Sequence, residues 1–349
     1  VQALYPTCTD FEREFPSICF SIATGVGKTR LMGACIAYLY LEKGIKNFFV
    51  LAPNLTIYNK LIEDFGNSSN PKYVFNGIAD FVHNKPVIIT GDNYNQVSSL
   101  FSETEIRINI FNVSKFARET KPVIEGGRNM APRIKRLSEY LGQSYWEYLS
   151  GLNDLVILMD EAHRYHADKS KVAINELQPI LGIELTATPI DEKSNQFRNV
   201  VYEYSLAQAL SDGLYVKNPT IAKRRDFSPN GRSIEEIEKI KLEDAVSIHE
   251  DTKEELKLYA LNTGKRLVKP FILVVCRDTT HAKSVYDLVS SNDFYEGAFA
   301  NKVLQIDSTT RNEELIEQQF ISLEHEDNEI EIVIHVNMLK EGWDVTNLY

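Results

Sequence analysis

No run of about 18 apolar residues occurs in the chain, so no segment reads as a membrane-spanning helix. Cysteine is scarce: Cys8, Cys19, Cys35 and Cys276 are the only four, and no two stand as C-x-x-C. That spacing argues against a zinc site. Their apolar surroundings read as buried, reduced thiols, the usage expected of a cytoplasmic protein. No signal-peptide pattern precedes Cys8. Positive charge is also in short supply, with 38 Lys and Arg against 49 Asp and Glu, a formal net charge of -11. A wholly basic nucleic-acid-binding surface is thereby disfavoured, but a local basic groove on an acidic body is not. Arg128, Arg133, Lys135 and Arg136, or Lys223, Arg224 and Arg225, could line such a groove; solvated surface charge is the alternative for each cluster. No internal repeat or low-complexity tract is evident.

What is present is globular. Hydrophobic residues make up 43% and charged residues 25% of 349, enough for two domains with separate cores. Short apolar runs at 17–22, 48–52, 87–90, 108–112, 155–159 and 182–186 read as buried parallel strands. Helical stretches such as 28–43 and 56–65 lie between them, and the alternation implies a doubly wound α/β sheet. The pattern breaks after Pro189 into loops, a short helix at 206–212 and a basic segment. A charged helix at 233–261 follows. A second α/β series then begins, with strands at 271–276, 303–307 and 330–335 and helices at 280–290 and 312–322. The boundary between the two halves is expected near 201–212. The stretch 117–150 is long for a connection and carries Tyr145, Trp146 and Tyr148; it reads as an inserted helical hairpin reaching a nucleic acid, or as a packing element or partly mobile loop.

Three motifs carry chemistry. Ala23-Thr24-Gly25-Val26-Gly27-Lys28-Thr29 lies between an apolar strand and a helix. Glycines let the backbone wrap phosphates with amide hydrogens pointing inward, and the helix N-terminus favours negative charge. Lys28 would contact the β- and γ-phosphates of ATP, and the Thr29 hydroxyl would hold Mg²⁺. The full pattern wants glycine where Ile22 stands. The second motif, Asp160-Glu161-Ala162-His163, ends an apolar strand, at the edge where α/β sheets bind ligands. Asp160 would hold Mg²⁺, and Glu161 would activate the attacking water as general base. The third, Thr186-Ala187-Thr188, ends another strand; its hydroxyls, with His163, would couple the nucleotide state to the rest of the chain.

In this order, Gly25-Val26-Gly27-Lys28-Thr29, Asp160-Glu161-Ala162-His163 and Thr186-Ala187-Thr188 resemble motifs I, II and III of superfamily-two helicases and translocases. Leu51-Ala52-Pro53-Asn54, Ser150-Gly151-Leu152-Asn153-Asp154-Leu155, Pro179-Ile180-Leu181-Gly182 and Met338-Leu339-Lys340-Glu341-Gly342-Trp343-Asp344-Val345 look like the Res (motor) subunit of type III restriction enzymes and its relatives. The resemblance implies two RecA-like P-loop lobes with mainly parallel sheets flanked by helices, 1–205 and 206–349, and an ATP site in the cleft between them. It implies roles in gripping nucleic acid for Pro53 and Asn54 (motif Ia), Asn112 and Ser114 (motif Ib), and Arg277, Asp278 and Thr279 (motif IV). Gly342 and Asp344 match motif V, which faces both ATP and strand. Read from the residues alone, these side chains suit phosphate contacts and turns equally.

The resemblance further implies double-stranded DNA as the track and a methyltransferase subunit as partner. The arginine motif beyond motif V, the upstream adenine-reading glutamine motif and a nuclease signature are not recognisable in the chain, whose ends, Val1 and Tyr349, read as cuts in a longer protein. Rival readings are a nucleotide-dependent switch gating a partner nuclease, an RNA-directed helicase, and an interaction module with a vestigial site; intact Lys28, Asp160 and Glu161 argue against the last.

Overall fold

The computed structural model describes residues 3–91, 93–94, 105–112, 123–125, 128–130, 145–191, 193–216, 224–225, 227–306, 322–323 and 327–336. The chain divides into two compact units, Val1–Thr220 and Ile221–Tyr349. The helix Leu206–Asp212, at the expected boundary and grouped there with the linker helices before the second lobe, falls within the first unit.

The first unit is built on seven strands: β1 (Ser17–Ile22), β2 (Asn47–Ala52), β3 (Val87–Thr90), β4 (Arg107–Asn112), β7 (Leu155–Asp160), β8 (Leu181–Thr186) and β9 (Val200–Tyr204). They pair in the order β3-β4-β2-β7-β8-β1-β9. Every pairing is parallel. The continuous apolar runs have a direct cause, because both faces of the sheet are covered. Phe48 and Val50 of β2 join Val156 and Leu158 of β7 under the helices Lys28–Lys43 and Leu55–Gly66. Phe49, Leu51, Leu155, Ile157 and Met159 point the other way, onto Tyr145, Trp146, Tyr165 and Ile174. Successive residues take opposite faces, as the strand period of two requires.

Two details depart from the sequence reading. The segment Val200–Tyr204 was expected as loop and forms the edge strand β9, whose residues are half-buried or exposed. Such an edge lacks the continuous apolar run of a covered strand. In the expected helical insertion, the described residues form two short antiparallel strands, β5 (Val123–Glu125) and β6 (Arg128–Met130), and the helix Tyr145–Ser150. Tyr145 and Trp146 are buried in the core, so these aromatics are packing elements.

The second unit carries β10 (Ile272–Val275), β11 (Val303–Ile306) and β12 (Ile332–His335), parallel and ordered β10-β12-β11. The charged segment expected at 233–261 is a 30-residue helix, Ile234–Thr263. Ser233 and Glu236 cap it reciprocally, which satisfies two amide groups the first turn would otherwise leave unpaired. Arg224, from one of the two basic clusters, is tied to Asp244 of that helix at 2.7 Å. Cys8, Cys19 and Cys276 are buried free thiols, and Cys35 is partly buried. Among the described residues, no helix is long and apolar enough to cross a membrane.

Candidate active site

The β1-to-helix turn fixes the first part of the site. Gly25 and Gly27 take positive φ, +82° and +104°, a region that side chains with a Cβ enter at a cost of about 1–2 kcal/mol. Gly27 is the N-cap of the helix Lys28–Lys43, with no side chain there to occupy its first amides. Those amides are left for an anion. Thr24 and Gly25 are exposed, while Val26, Lys28 and Thr29 are half-buried.

The second part arrives on β7. In the sheet order β7, β8 and β1 are neighbours, and register pairs Asp160 with Leu185 and Ser21 with Thr186. The carboxyl ends of β1, β7 and β8 therefore lie side by side. Across this edge the Lys28 ammonium is hydrogen-bonded to Glu161 Oε1, joining the glycine turn to the acidic pair. Asp160 is buried, and its carboxyl pKa is pushed up to about 6 by desolvation, which Lys28 partly offsets and Glu161 reinforces. Glu161 sits in the left-handed region at φ +49° and begins the 3₁₀ turn Ala162–Tyr165. Its amide donates to Asp160 Oδ1 at 3.1 Å.

The coupling residues converge here too. His163 Nδ1 lies 3.0 Å from Thr186 Oγ1, 3.5 Å from Thr188 Oγ1 and 3.7 Å from Glu161 Oε2. The Thr186 hydroxyl donates to the Thr188 carbonyl at 3.2 Å and accepts from the Thr188 amide at 3.1 Å. Thr186 is buried and Thr188 exposed.

The residues expected to grip a strand lie at carboxyl ends of strands. Pro53 and Asn54 follow β2, and Asn112 ends β4, both in the sheet that carries the glycine turn. The Asn54 side chain caps the helix Leu55–Gly66, accepting from the Ile57 amide at 2.9 Å. In the second unit Arg277 is exposed, and Asp278 caps the helix Thr279–Val289 through the His281 amide at 2.8 Å. Asn54 and Asp278 thus both do the work of turn residues. Ser114, Gly342, Asp344, the rest of the motif V string and most of the helix expected at 312–322 lie outside the described residues.

Four residues of one buried cluster, Arg13, Ser17, His166 and Glu184, were not among the expected site residues. Glu184 is fully buried in β8 and accepts from Arg13 Nε at 2.8 Å, Ser17 Oγ at 2.7 Å and His166 Nε2 at 2.7 Å. A lone acid inside the apolar run Leu181–Thr186 was the available signal, since a buried charge needs partners.

The oxygen donors at the site, the Thr29 hydroxyl and the Asp160 carboxylate, are hard ligands of the kind magnesium takes. The type III restriction enzyme res subunit family model matches residues 1–191. No curated protein matches the chain. Among solved structures, the Mycobacterium smegmatis helicase Lhr bound to ssDNA and AMP-PNP is similar at 13% identity and a TM-score of 0.50, over 95% of this chain and 39% of that one. The S. cerevisiae Dbp5 bound to RNA and ADP BeF3 is similar at 11% identity and a TM-score of 0.45, over 96% of this chain and 68% of that one. The likeness to Lhr is one of fold, the α/β P-loop fold of RecA-like helicases. With more than half of its 349 residues matched by the family model, the chain belongs to the type III restriction enzyme res subunit family.

Proposed function

We propose that this chain is the motor portion of a DNA translocase that hydrolyses ATP, working within a type III restriction assembly alongside a methyltransferase subunit. The observation that carries the reading is the ion pair between Lys28 and Glu161, which brings the glycine turn and the acidic motif to one edge of one sheet. ATP with magnesium supplies the phosphoryl group that water attacks. Lys28, Thr29 and the free amides after Gly27 bind and orient the phosphates. Asp160, ionised, would hold the metal together with Thr29. Glu161, released from Lys28 as that ammonium turns to phosphate, takes the proton of the attacking water at its carboxylate. His163, Thr186 and Thr188 pass the change to the rest of the chain. In this reading ATP binding favours one conformational state of the chain, and loss of γ-phosphate contacts after hydrolysis releases it. Double-stranded DNA is held chiefly through its phosphates, by Pro53, Asn54 and Asn112 at strand ends and by Arg277 to Thr279, with Ser114 assigned the same role by its motif alone. Gly342 and Asp344, which lie outside the described residues, are assigned contacts with ATP and DNA by the motif V resemblance alone.

The test is phosphate release with and without DNA in the full-length protein that contains this chain. Lys28→Ala is expected to abolish turnover. Glu161→Gln is expected to leave ATP bound and unhydrolysed. Wild-type rates in Glu161→Gln would overturn the base assignment. Hydrolysis indifferent to duplex DNA but stimulated by RNA would overturn the choice of track. DNA-stimulated hydrolysis without ATP-driven displacement along a tethered duplex would favour a switch over a motor.

A further inference from the structure

We propose that Arg13, Glu184 and His166 form a positioning clamp that holds the turn bearing Glu161 against β8, a role additional to that of the motif residues and resting on the reading of Glu161 as general base. The geometry has two matched spacings. Glu184 and Thr186 are two residues apart on one strand, so they share a face about 6.6 Å apart. His163 and His166 are three apart at a 3₁₀ turn, where side chains three residues apart eclipse at a rise of about 6 Å. The two pairs meet rung to rung: His163 Nδ1 lies 3.0 Å from Thr186 Oγ1, and His166 Nε2 lies 2.7 Å from Glu184 Oε2. Only the upper rung belongs to the motifs. Ionised Glu184 can only accept, so His166 Nε2 carries a hydrogen, and this fixes the ring orientation. The ring is also stacked on Phe197, with centroids 3.7 Å apart.

Stability alone is a poor account of the lower rung. The Arg13 and Glu184 side chains have no exposed surface, and Arg13 Nη1 and Nη2 are buried without a partner among the described residues. A buried charge pair with unsatisfied donors gains little over an apolar packing of the same volume. It does specify one register between the acidic-motif turn and β8. That register matters because Glu161 begins the turn in the left-handed region, and such a backbone persists only when its surroundings over-determine it. Arg13, from the segment leading into β1, closes the clamp on the far side of Glu184, and Ser17 at the start of β1 adds a third bond.

The test replaces His166 in the full-length protein. His166→Leu is expected to lower kcat for DNA-stimulated ATP hydrolysis about tenfold with KM for ATP within about twofold, because geometry at the reacting atoms changes and phosphate binding does not. Amide exchange across residues 160–166 should quicken about tenfold. His166→Gln, whose side-chain amide nitrogen reaches the place of Nε2, should restore both. Should His166→Leu fail to fold, Ser17→Ala removes one bond to Glu184 and no charge, and a fall in kcat of about threefold is expected. Unchanged kcat and exchange in the variant that folds would overturn the clamp, as would a loss that His166→Gln leaves unrepaired. An inactive wild-type protein would sink the ATPase reading instead, and the exchange comparison, which needs no turnover, would still decide the clamp.

Discussion

Glu184 carries its charge fully buried within β8. Burial alone would raise its pKa, but Arg13 and His166 outweigh that and hold the carboxyl down to about 2. A carboxylate whose folded pKa is depressed stabilises the fold above its unfolded pKa of about 4.5, and that contribution disappears as pH falls toward 2. The stake is roughly 3 kcal/mol. Urea unfolding of the full chain, followed by amide exchange in β7 and β8, should therefore lose stability steeply between about pH 4.5 and 2. Glu184→Gln should flatten that window. It should also destabilise the first unit by about 3–5 kcal/mol at neutral pH, because the buried Arg13 charge is left uncompensated. An unchanged acid limb in Glu184→Gln would mean that other carboxylates govern acid unfolding.

Among the elements, the helix Leu55–Gly66 separates two roles that one side chain can play. Asn54 caps it, and a strand-contact role for the same residue is proposed from the motif. Aspartate caps as well as asparagine does, whereas alanine loses about 1 kcal/mol. Asn54→Asp should thus leave the melting temperature near wild type while placing a negative charge where a phosphate is expected. DNA affinity, measured by anisotropy of a labelled duplex, should fall with stability intact. If Asn54→Asp binds DNA normally and only Asn54→Ala loses stability, Asn54 is a cap and nothing more. The same helix shows what a sequence discloses. Buried parallel strands such as β2 and β7 announce themselves because both faces are apolar, and the glycine turn because its two positive-φ glycines precede Lys28. The edge strand β9 does not, since its exposed and half-buried residues mimic a loop. Nor does the set of Arg13, Glu184 and His166, whose members stand 171 and 18 residues apart and meet only once β1, β8 and the 3₁₀ turn are packed. The place of Asp160 and Glu161 at the carboxyl end of β7 was legible because they follow a continuous apolar run, whereas the cap roles of Asn54 and Asp278 needed coordinates.

At the scale of the whole molecule, the formal net charge of -11 opposes the approach of any nucleic acid. The proposed grip on DNA would then have to come from a few local cations and from neutral donors at strand ends. Arg224 is already engaged by Asp244, while Arg277 is exposed beside the cap of its helix. A motor of the proposed kind also has to release its track at every step, so few phosphate contacts suit the task better than many. Each neutralised phosphate contributes about -0.9 to the slope of log affinity against log salt on duplex DNA, so about four contacts give a slope near -3.6. Affinity should accordingly drop about a hundredfold between roughly 50 and 200 mM salt. Anisotropy titrations of the full-length protein across that range, with a non-hydrolysable ATP analogue present, check the number. A slope near zero would mean that phosphates are not what the chain holds. A slope near -9, about ten contacts, would point to a continuous basic groove in place of a few local contacts.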